Sequence, residues 1–63
     1  MYLKNLVKLR KAKGWSQEKL AAESGISYST LIKIERGAII DPKISTVIKF
    51  AKALGVKVDD LIK

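Results

Sequence analysis

The residues of this sequence that could do chemistry are hydroxyls, carboxylates and cations, and none has the partners that catalysis needs. The chain has no histidine and no cysteine. It therefore lacks the commonest general base, the commonest metal ligand and any thiolate or disulfide. Asp59 and Asp60 are adjacent and suit the start of a helix better than an acid–base pair. With no glycine-rich phosphate loop either, the sequence predicts no enzyme, no metal site, no cofactor and no small-molecule substrate.

The cations are the chemical feature that remains. The 63 residues carry 13 Lys and Arg against 6 Asp and Glu, a formal charge of +7. A strong positive field attracts nucleic acid or an anionic membrane surface, although lysines of this kind can also be a solvated surface. The charge favours a polyanionic partner. The bases are densest, with no acid among them, in residues 1–15, at Lys4, Lys8, Arg10, Lys11 and Lys13.

The length and the apolar content limit the architecture. A chain of this length forms at most one small domain, and it buries only about 60% of its unfolded surface. We therefore expect a single domain over residues 1–63. Charges interrupt the N-terminal segment, so it does not resemble a secretory signal, and no apolar run approaches the ~20 residues of a membrane span. The expected location is cytoplasmic, with no membrane partner.

The spacing of apolar residues is helical nearly throughout. Steps of three and four residues predict an all-α fold of five short helices, and no segment alternates with period two. Ser16 and Ser27 are placed to cap the second and third helices, and glycines follow the first four. Pro42 suits the first turn of the fourth helix. The predicted helices cover about 2–13, 17–23, 28–36, 43–54 and 58–62.

The fourth helix has the broadest apolar side. The pattern predicts that five of its residues face the core, with Phe50 beside them. The five are Ile44, Val47, Ile48, Ala51 and Leu54.

The segment from Ser16 to Gly37 is the most informative unit. Two short helices joined by a three-residue turn with Gly25 form the helix-turn-helix pattern. The string SQEKLAAESGISYSTLIKIERG resembles the Cro/C1-type helix-turn-helix of phage repressors and xenobiotic-response-element regulators. Leu6–Arg10 is similar to the first helix of that family, and residues 42, 51–56 and 59–62 to its later helices. The matched positions of the motif are Ser16, Gln17, Leu20, Ala21, Gly25, Ile26, Ser27, Thr30, Leu31, Ile34, Glu35 and Gly37.

The resemblance implies a compact five-helix, lambda-repressor-like bundle with its motif at about 16–36. Leu20, Leu31 and Ile34 should be buried rather than touch a ligand. Arg10 and Glu35 are the two charges on otherwise inward stripes, and an unpaired buried charge is costly. Each is the other's obvious partner, the family implies the same pair, and we interpret it as structural.

The outward side of the third helix, about 28–36, is then expected to enter the major groove of double-stranded DNA. The family match places Tyr28, Ser29 and Lys33 at base-reading positions. Lys33 can donate to guanine, and Ser29 can donate or accept. Tyr28 and Ile32 could pack on a thymine methyl group. The alternative is a solvated helix surface, although an exposed Tyr beside an exposed Ile favours DNA.

Contacts to phosphate position such a domain without reading sequence. Gln17 matches a family residue that bonds phosphate, and its backbone N–H lies at a helix N-terminus, where anions bind. Ser27, Arg36 and Lys43 are assigned to phosphate as well. The lysines of the first helix add either diffuse attraction or nothing beyond solvation.

The loop before the fourth helix departs from the family. It carries Ile39 and Ile40 where polar or basic residues are usual. These two isoleucines either fold against the core or contact a second subunit. The sequence does not choose between these possibilities.

Together these features predict a sequence-specific double-stranded DNA-binding transcription regulator, a repressor, that binds a near-palindromic site as a homodimer. Two other classes compete with it. The basic first helix could lie on a membrane surface, but its apolar side is needed for the bundle. A protein-interaction module of the same fold, such as an antitoxin or antirepressor partner, would bind DNA weakly or not at all.

Overall fold

The computed structural model describes residues 2–63 and contains five helices. The prediction of an all-α fold is confirmed, and no strand occurs in this range. None of the helices within it is long and apolar enough to cross a membrane. The helices are α1 (Leu6–Ala12), α2 (Gln17–Ser24), α3 (Tyr28–Glu35), α4 (Ile44–Leu54) and α5 (Val58–Ile62).

Helix α1 begins four residues later than the sequence pattern predicts. Asn5 precedes it, and the backbone N–H of Asn5 donates to the carbonyl of Leu61 at 3.0 Å. Its side-chain Nδ2 donates to the carbonyl of Asp60, also at 3.0 Å. These bonds join the N-terminal segment to α5. The segment therefore runs across the bundle instead of extending α1, and Leu3 still reaches the core.

Helices α2 and α3 begin at the predicted serine caps. The Ser16 hydroxyl accepts from the backbone N–H of Lys19 at 3.0 Å, and the Ser27 hydroxyl accepts from that of Thr30 at 3.3 Å. Such caps satisfy N–H groups that have no partner within the helix. Gly25 between the helices has φ +73°, a left-handed conformation that glycine adopts without a steric penalty. Ile26 follows it into the core, so the turn has the predicted geometry.

The core forms where α4 packs against α2 and α5, while α3 packs against α2. Phe50 and Val47 of α4 are fully buried. The predicted burial of Leu20, Leu31 and Ile34 is confirmed. Ser24 is also buried, which the pattern did not predict, and its hydroxyl donates to the Leu20 carbonyl at 2.7 Å. Helix α2 therefore lies between α3 and α4, and α4 joins it to α5.

Two α4 residues that the sequence pattern predicted to face the core lie on the surface instead. Ile44 is 53% exposed and Ile48 is 40% exposed. The apolar side of α4 is broader than the contact surface offered by α2 and α5, so its edge extends into solvent. The prediction that Pro42 lies in the first turn of α4 is also wrong. Pro42 lies before Lys43, the residue that precedes the first helical residue of α4, and it is buried.

We expect adjacent faces of α4 to respond very differently to truncation. Leu54→Ala should lower the free energy of unfolding by about 2–5 kcal/mol, because Leu54 is buried and its removal leaves a cavity. Ile48→Ala should change it by less than about 1 kcal/mol, because part of its surface is already hydrated and alanine favours helix. Urea denaturation followed by circular dichroism measures both. Equal losses would place Ile48 in the core.

Candidate nucleic-acid interface

The outer surface of α3 carries the residues that the sequence assigned to base reading. Tyr28, Ser29 and Lys33 are exposed, and Tyr28 is 48% accessible. Ile32 is half-buried, so it contributes less surface than predicted. Residues 28, 32 and 36 recur at steps of four, as do 29 and 33, and such positions share one side of a helix. Leu31 and Ile34 turn the opposite side into the core.

The cations on this surface are available to an anion. Within residues 2–63, the ion pairs described involve neither Lys33 nor Arg36. Arg36 follows the last helical residue of α3 and is exposed. Unlike the charges of Arg10 and Glu35, these two charges remain in solvent. The outer surface of α3 therefore combines an aromatic ring, a hydroxyl and two cations.

The Ser27 hydroxyl is engaged in capping. It accepts from the Thr30 N–H and donates to the Thr30 hydroxyl oxygen at 2.8 Å. Its single proton is therefore directed at Thr30 rather than at solvent. A phosphate bonded by the Ser27 hydroxyl would have to displace that bond. The structure thus gives Ser27 a structural role, and its phosphate contact stays a prediction.

Arg10 and Glu35 meet in the interior as a two-pronged ion pair. Arg10 Nε donates to Glu35 Oε2 at 2.8 Å, and Nη2 donates to Oε1 at 3.1 Å. The two side chains are only 10% and 4% exposed. Arg10 Nη1 also donates to the Trp15 carbonyl at 2.8 Å. One guanidinium therefore joins α1, the turn after it and the last residue of α3.

Gln17 belongs to the same network, which the sequence did not predict. Its Nε2 donates to Glu35 Oε1 at 2.8 Å, and the residue is half-buried. Gln17 is the first residue of α2 and Glu35 the last of α3, so the bond holds the outer ends of the motif together. An amide nitrogen has two protons, so the second can still be donated to a phosphate. The one sequence signal for this bond was a polar residue at the start of the motif.

Lys43 lies at the start of α4 and lines a half-open cavity of about 410 Å³ with Thr30 and Thr46. No side chain caps α4, so the side chains leave its first N–H groups free. Positive backbone ends of this kind favour anions, and the Lys43 ammonium adds to that field. Thr30 and Ile34 line the cavity from α3, and Lys43 is the cation on the α4 side of it.

The two isoleucines of the preceding loop have different environments. Ile39 is half-buried and packs against the core, whereas Ile40 is 65% exposed. Ile39 therefore takes the first of the two possibilities that the sequence left open, because it folds against the core. Contact of Ile40 with a second subunit stays a prediction.

The lysines of the N-terminal segment stay in solvent. Lys4, Lys8 and Lys11 are exposed. Lys13 lies 4.8 Å from the centre of the Trp15 ring, and Lys19 of α2 lies 5.8 Å from it. Cations at such distances are attracted to the ring face. Trp15 is thus half-buried, and the ammonium groups of Lys13 and Lys19 lie near its ring.

We expect the Arg10–Glu35 pair to show strong thermodynamic coupling. Arg10→Met should lower the free energy of unfolding by about 3–5 kcal/mol, because it leaves the Glu35 carboxylate buried without its cation. Arg10→Met combined with Glu35→Met should lose much less than the sum of the two single variants. Urea denaturation of the four proteins gives the coupling energy. Additive losses would contradict a direct buried pair.

Curated proteins with similar sequences carry related names. HTH-type transcriptional regulator SlrR of Bacillus subtilis (strain 168) is 44% identical over 52 residues, which are 82% of this chain and 34% of SlrR. The chain therefore spans about a third of that relative. Uncharacterized HTH-type transcriptional regulator MJ0272 of Methanocaldococcus jannaschii is 40% identical over 60 residues, covering 94% of this chain and 89% of the relative. Uncharacterized HTH-type transcriptional regulator y4dJ of Sinorhizobium fredii is 40% identical over 58 residues, covering 92% and 74%.

No solved structure matches the chain significantly. The family model described as helix-turn-helix matches residues 6–61, from the first residue of α1 to the fourth residue of α5. The match includes both motif helices, the buried ion pair and α4. The chain therefore belongs to the Cro/C1-type helix-turn-helix family.

Proposed function

We propose that this protein is a transcription regulator that binds double-stranded DNA in a sequence-specific manner. The observation that carries the proposal is the exposed outer surface of α3, with Tyr28, Ser29 and Lys33 in solvent. In a helix-turn-helix the second helix lies in the major groove and meets base edges with its N-terminal part. The membership of the family supports the same orientation for α3.

Each residue of this surface has its own part in the proposed readout. Lys33 donates to guanine O6 or N7 in the major groove. Ser29 can donate or accept a hydrogen bond. It therefore helps to fix the position of α3 along the groove more than it distinguishes one base from another. Tyr28 offers a ring for a thymine methyl and a hydroxyl for a base or phosphate. Half-buried Ile32 adds a smaller apolar contact beside Tyr28.

Backbone contacts hold α3 in the groove. Arg36 and Lys43 contact phosphates on either side of α3, where both are exposed. Gln17 donates its second amide proton to a phosphate while the first remains on Glu35. Because its side chain is already ordered by Glu35, little further entropy is lost on binding. Ser27 contributes through its cap, which fixes the first turn of α3.

Two copies bind a near-palindrome with half-sites about one helical turn, ~34 Å, apart. The domain measures 24 × 23 × 18 Å between Cα atoms, so a bound copy covers its half-site.

Repression needs nothing more than this exclusion of other proteins from the groove, so we assign the regulator as a repressor. Exposed Ile40 rather than Ile39 is available to the dimer contact. A protein that regulates transcription in this way works in the cytoplasm.

The proposal is tested by selection from a random duplex library. We expect rounds of capture and sequencing to enrich a motif with two related half-sites. The protein with Glu substituted at Ser29 and Lys33 is the control, because it keeps the fold but places carboxylates on the outer surface of α3. A library that enriches no motif with the unmodified protein would reject DNA reading and favour the protein-interaction module.

Lys33 and Arg36 should differ in how their loss affects binding to the selected motif. Lys33→Ala should cost about 1–3 kcal/mol at one base position and relax specificity there. Arg36→Ala, and likewise Lys43→Ala, should weaken all sequences alike and make the salt dependence shallower by about one unit. Fluorescence anisotropy against single-base variants at several salt concentrations separates these effects. Uniform weakening by Lys33→Ala would contradict base reading.

A further inference from the structure

Three isoleucines form an exposed apolar strip that the proposed DNA contacts do not use. Ile44 and Ile48 lie one turn apart on α4, and Ile40 lies in the loop that leads into it. They are 53%, 40% and 65% exposed. Apart from two tyrosines, these are the large hydrophobic side chains that residues 2–63 expose. We name Ile40, Ile44 and Ile48 the isoleucine strip.

The fold does not account for this strip. The core side of α4 is complete without it, because Val47, Ala51 and Leu54 are buried on that side. Beyond the strip, α4 becomes polar at Ser45 and Lys49. Single exposed apolar residues are ordinary, but Ile44 and Ile48 lie one turn apart on one side of α4, and adjacent exposed apolar residues beside a polar border are typical of an interaction site.

We propose that the isoleucine strip packs against the same strip of a second copy of this chain, with the two α4 helices antiparallel about a twofold axis. The strip suits such an axis because it is self-complementary. When the axis passes beside residue 46, Ile44 of each copy lies opposite Ile48 of the other. One patch then serves both subunits, as a twofold interface requires.

The charges are compatible with this pairing. Lys52 lies one turn beyond Ile48, and in the antiparallel arrangement the two Lys52 residues are about 18 Å apart along α4 at 1.5 Å per residue. That separation exceeds the Debye length of about 8 Å in physiological salt, so their repulsion is screened. Lys43 lines the cavity beside Thr46, on the other side of α4 from Ile44, and stays outside the contact. A parallel pairing would instead bring the two Lys52 residues together.

The size of the strip fits a contact made on DNA. A stable protein interface takes about 800 Å² from each partner, which is about a fifth of this chain's 3973 Å² of accessible surface. Three partly exposed isoleucines supply much less interface area than that. Side chains add about 3 Å at each end of the 24 Å extent, so two copies that touch are centred about 30 Å apart, close to the ~34 Å between half-sites. We therefore expect weak association in solution and cooperative binding on DNA.

The inference deepens the proposed DNA binding as a pair, and a measurement without DNA tests it separately. The chain has no cysteine, so an introduced thiol is unique. Ile44→Cys and Ile48→Cys chains of different size are mixed at high concentration and in high salt, then oxidised. The mixed disulfide should form at least about fivefold faster than either homodisulfide, because only opposed residues bring Cα atoms within the 4.4–6.8 Å that a disulfide needs.

The matched control is Ser45→Cys, which is exposed on the same helix but outside the strip. It should form disulfides only at the rate of random collision with each of the other chains. The proposal is overturned when Ser45→Cys reacts as fast as the Ile44→Cys and Ile48→Cys pair. It is equally overturned when homodisulfides form as fast as the mixed one, because the antiparallel register would then be absent.

The second measurement uses duplexes that carry one or two of the selected half-sites. We expect the first bound copy to raise the affinity of the second by about tenfold, within the usual range of coupling between sites. Ile44→Gln with Ile48→Gln should abolish that factor and leave binding to one half-site unchanged, whereas Ser45→Gln should alter neither. Cooperativity that survives the double variant overturns the contact. Loss of binding to a single half-site shows that the strip touches DNA instead.

Discussion

The arrangement of the helices depends on the buried hydrogen bonds and ion pair that the Arg10 guanidinium makes. It bonds both oxygens of Glu35 and the Trp15 carbonyl, and Glu35 in turn accepts from Gln17. One buried cation therefore fixes α1, the turn after it and both outer ends of the motif. A chain of 63 residues has a small core, and helices this short are unstable alone. The bonds of Arg10 and Gln17 to Glu35 add contacts of defined geometry between these helices to the apolar packing of the core.

This network also determines which charges remain for a ligand. Arg10 and Glu35 neutralise each other inside, so the outer surface of α3 keeps Lys33 and Arg36 without a nearby carboxylate in an ion pair. On other helices, Glu23 pairs with Lys19 and Asp59 pairs with Lys63. For binding a ligand, the positions of the individual charges therefore matter more than the net charge. A structural pair is buried behind α3, and uncompensated cations lie in front of it.

Much of the fold could be predicted because its signals are local. Serine caps, glycines with positive φ and three- or four-residue apolar spacing specify helices through neighbours in sequence. The errors arose where distant residues decide. The start of α1 depends on the bonds of Asn5 to α5, and the bond from Gln17 to Glu35 crosses the motif. Periodicity gave the direction of the apolar side of α4 but not its width, so Ile44 and Ile48 were assigned to the core.

The width of that apolar side links the fold to the proposed pairing on DNA. Two domains of charge +7 repel each other in solution, and an interface limited to three isoleucines per copy cannot offset both that repulsion and the entropy of association. Phosphates of the duplex neutralise the cations of both domains, and the duplex fixes their separation. The second association then becomes effectively intramolecular, so a small apolar contact suffices. In this arrangement the phosphate contacts and the isoleucine strip reinforce each other, because each copy that binds DNA lowers the cost of docking the next.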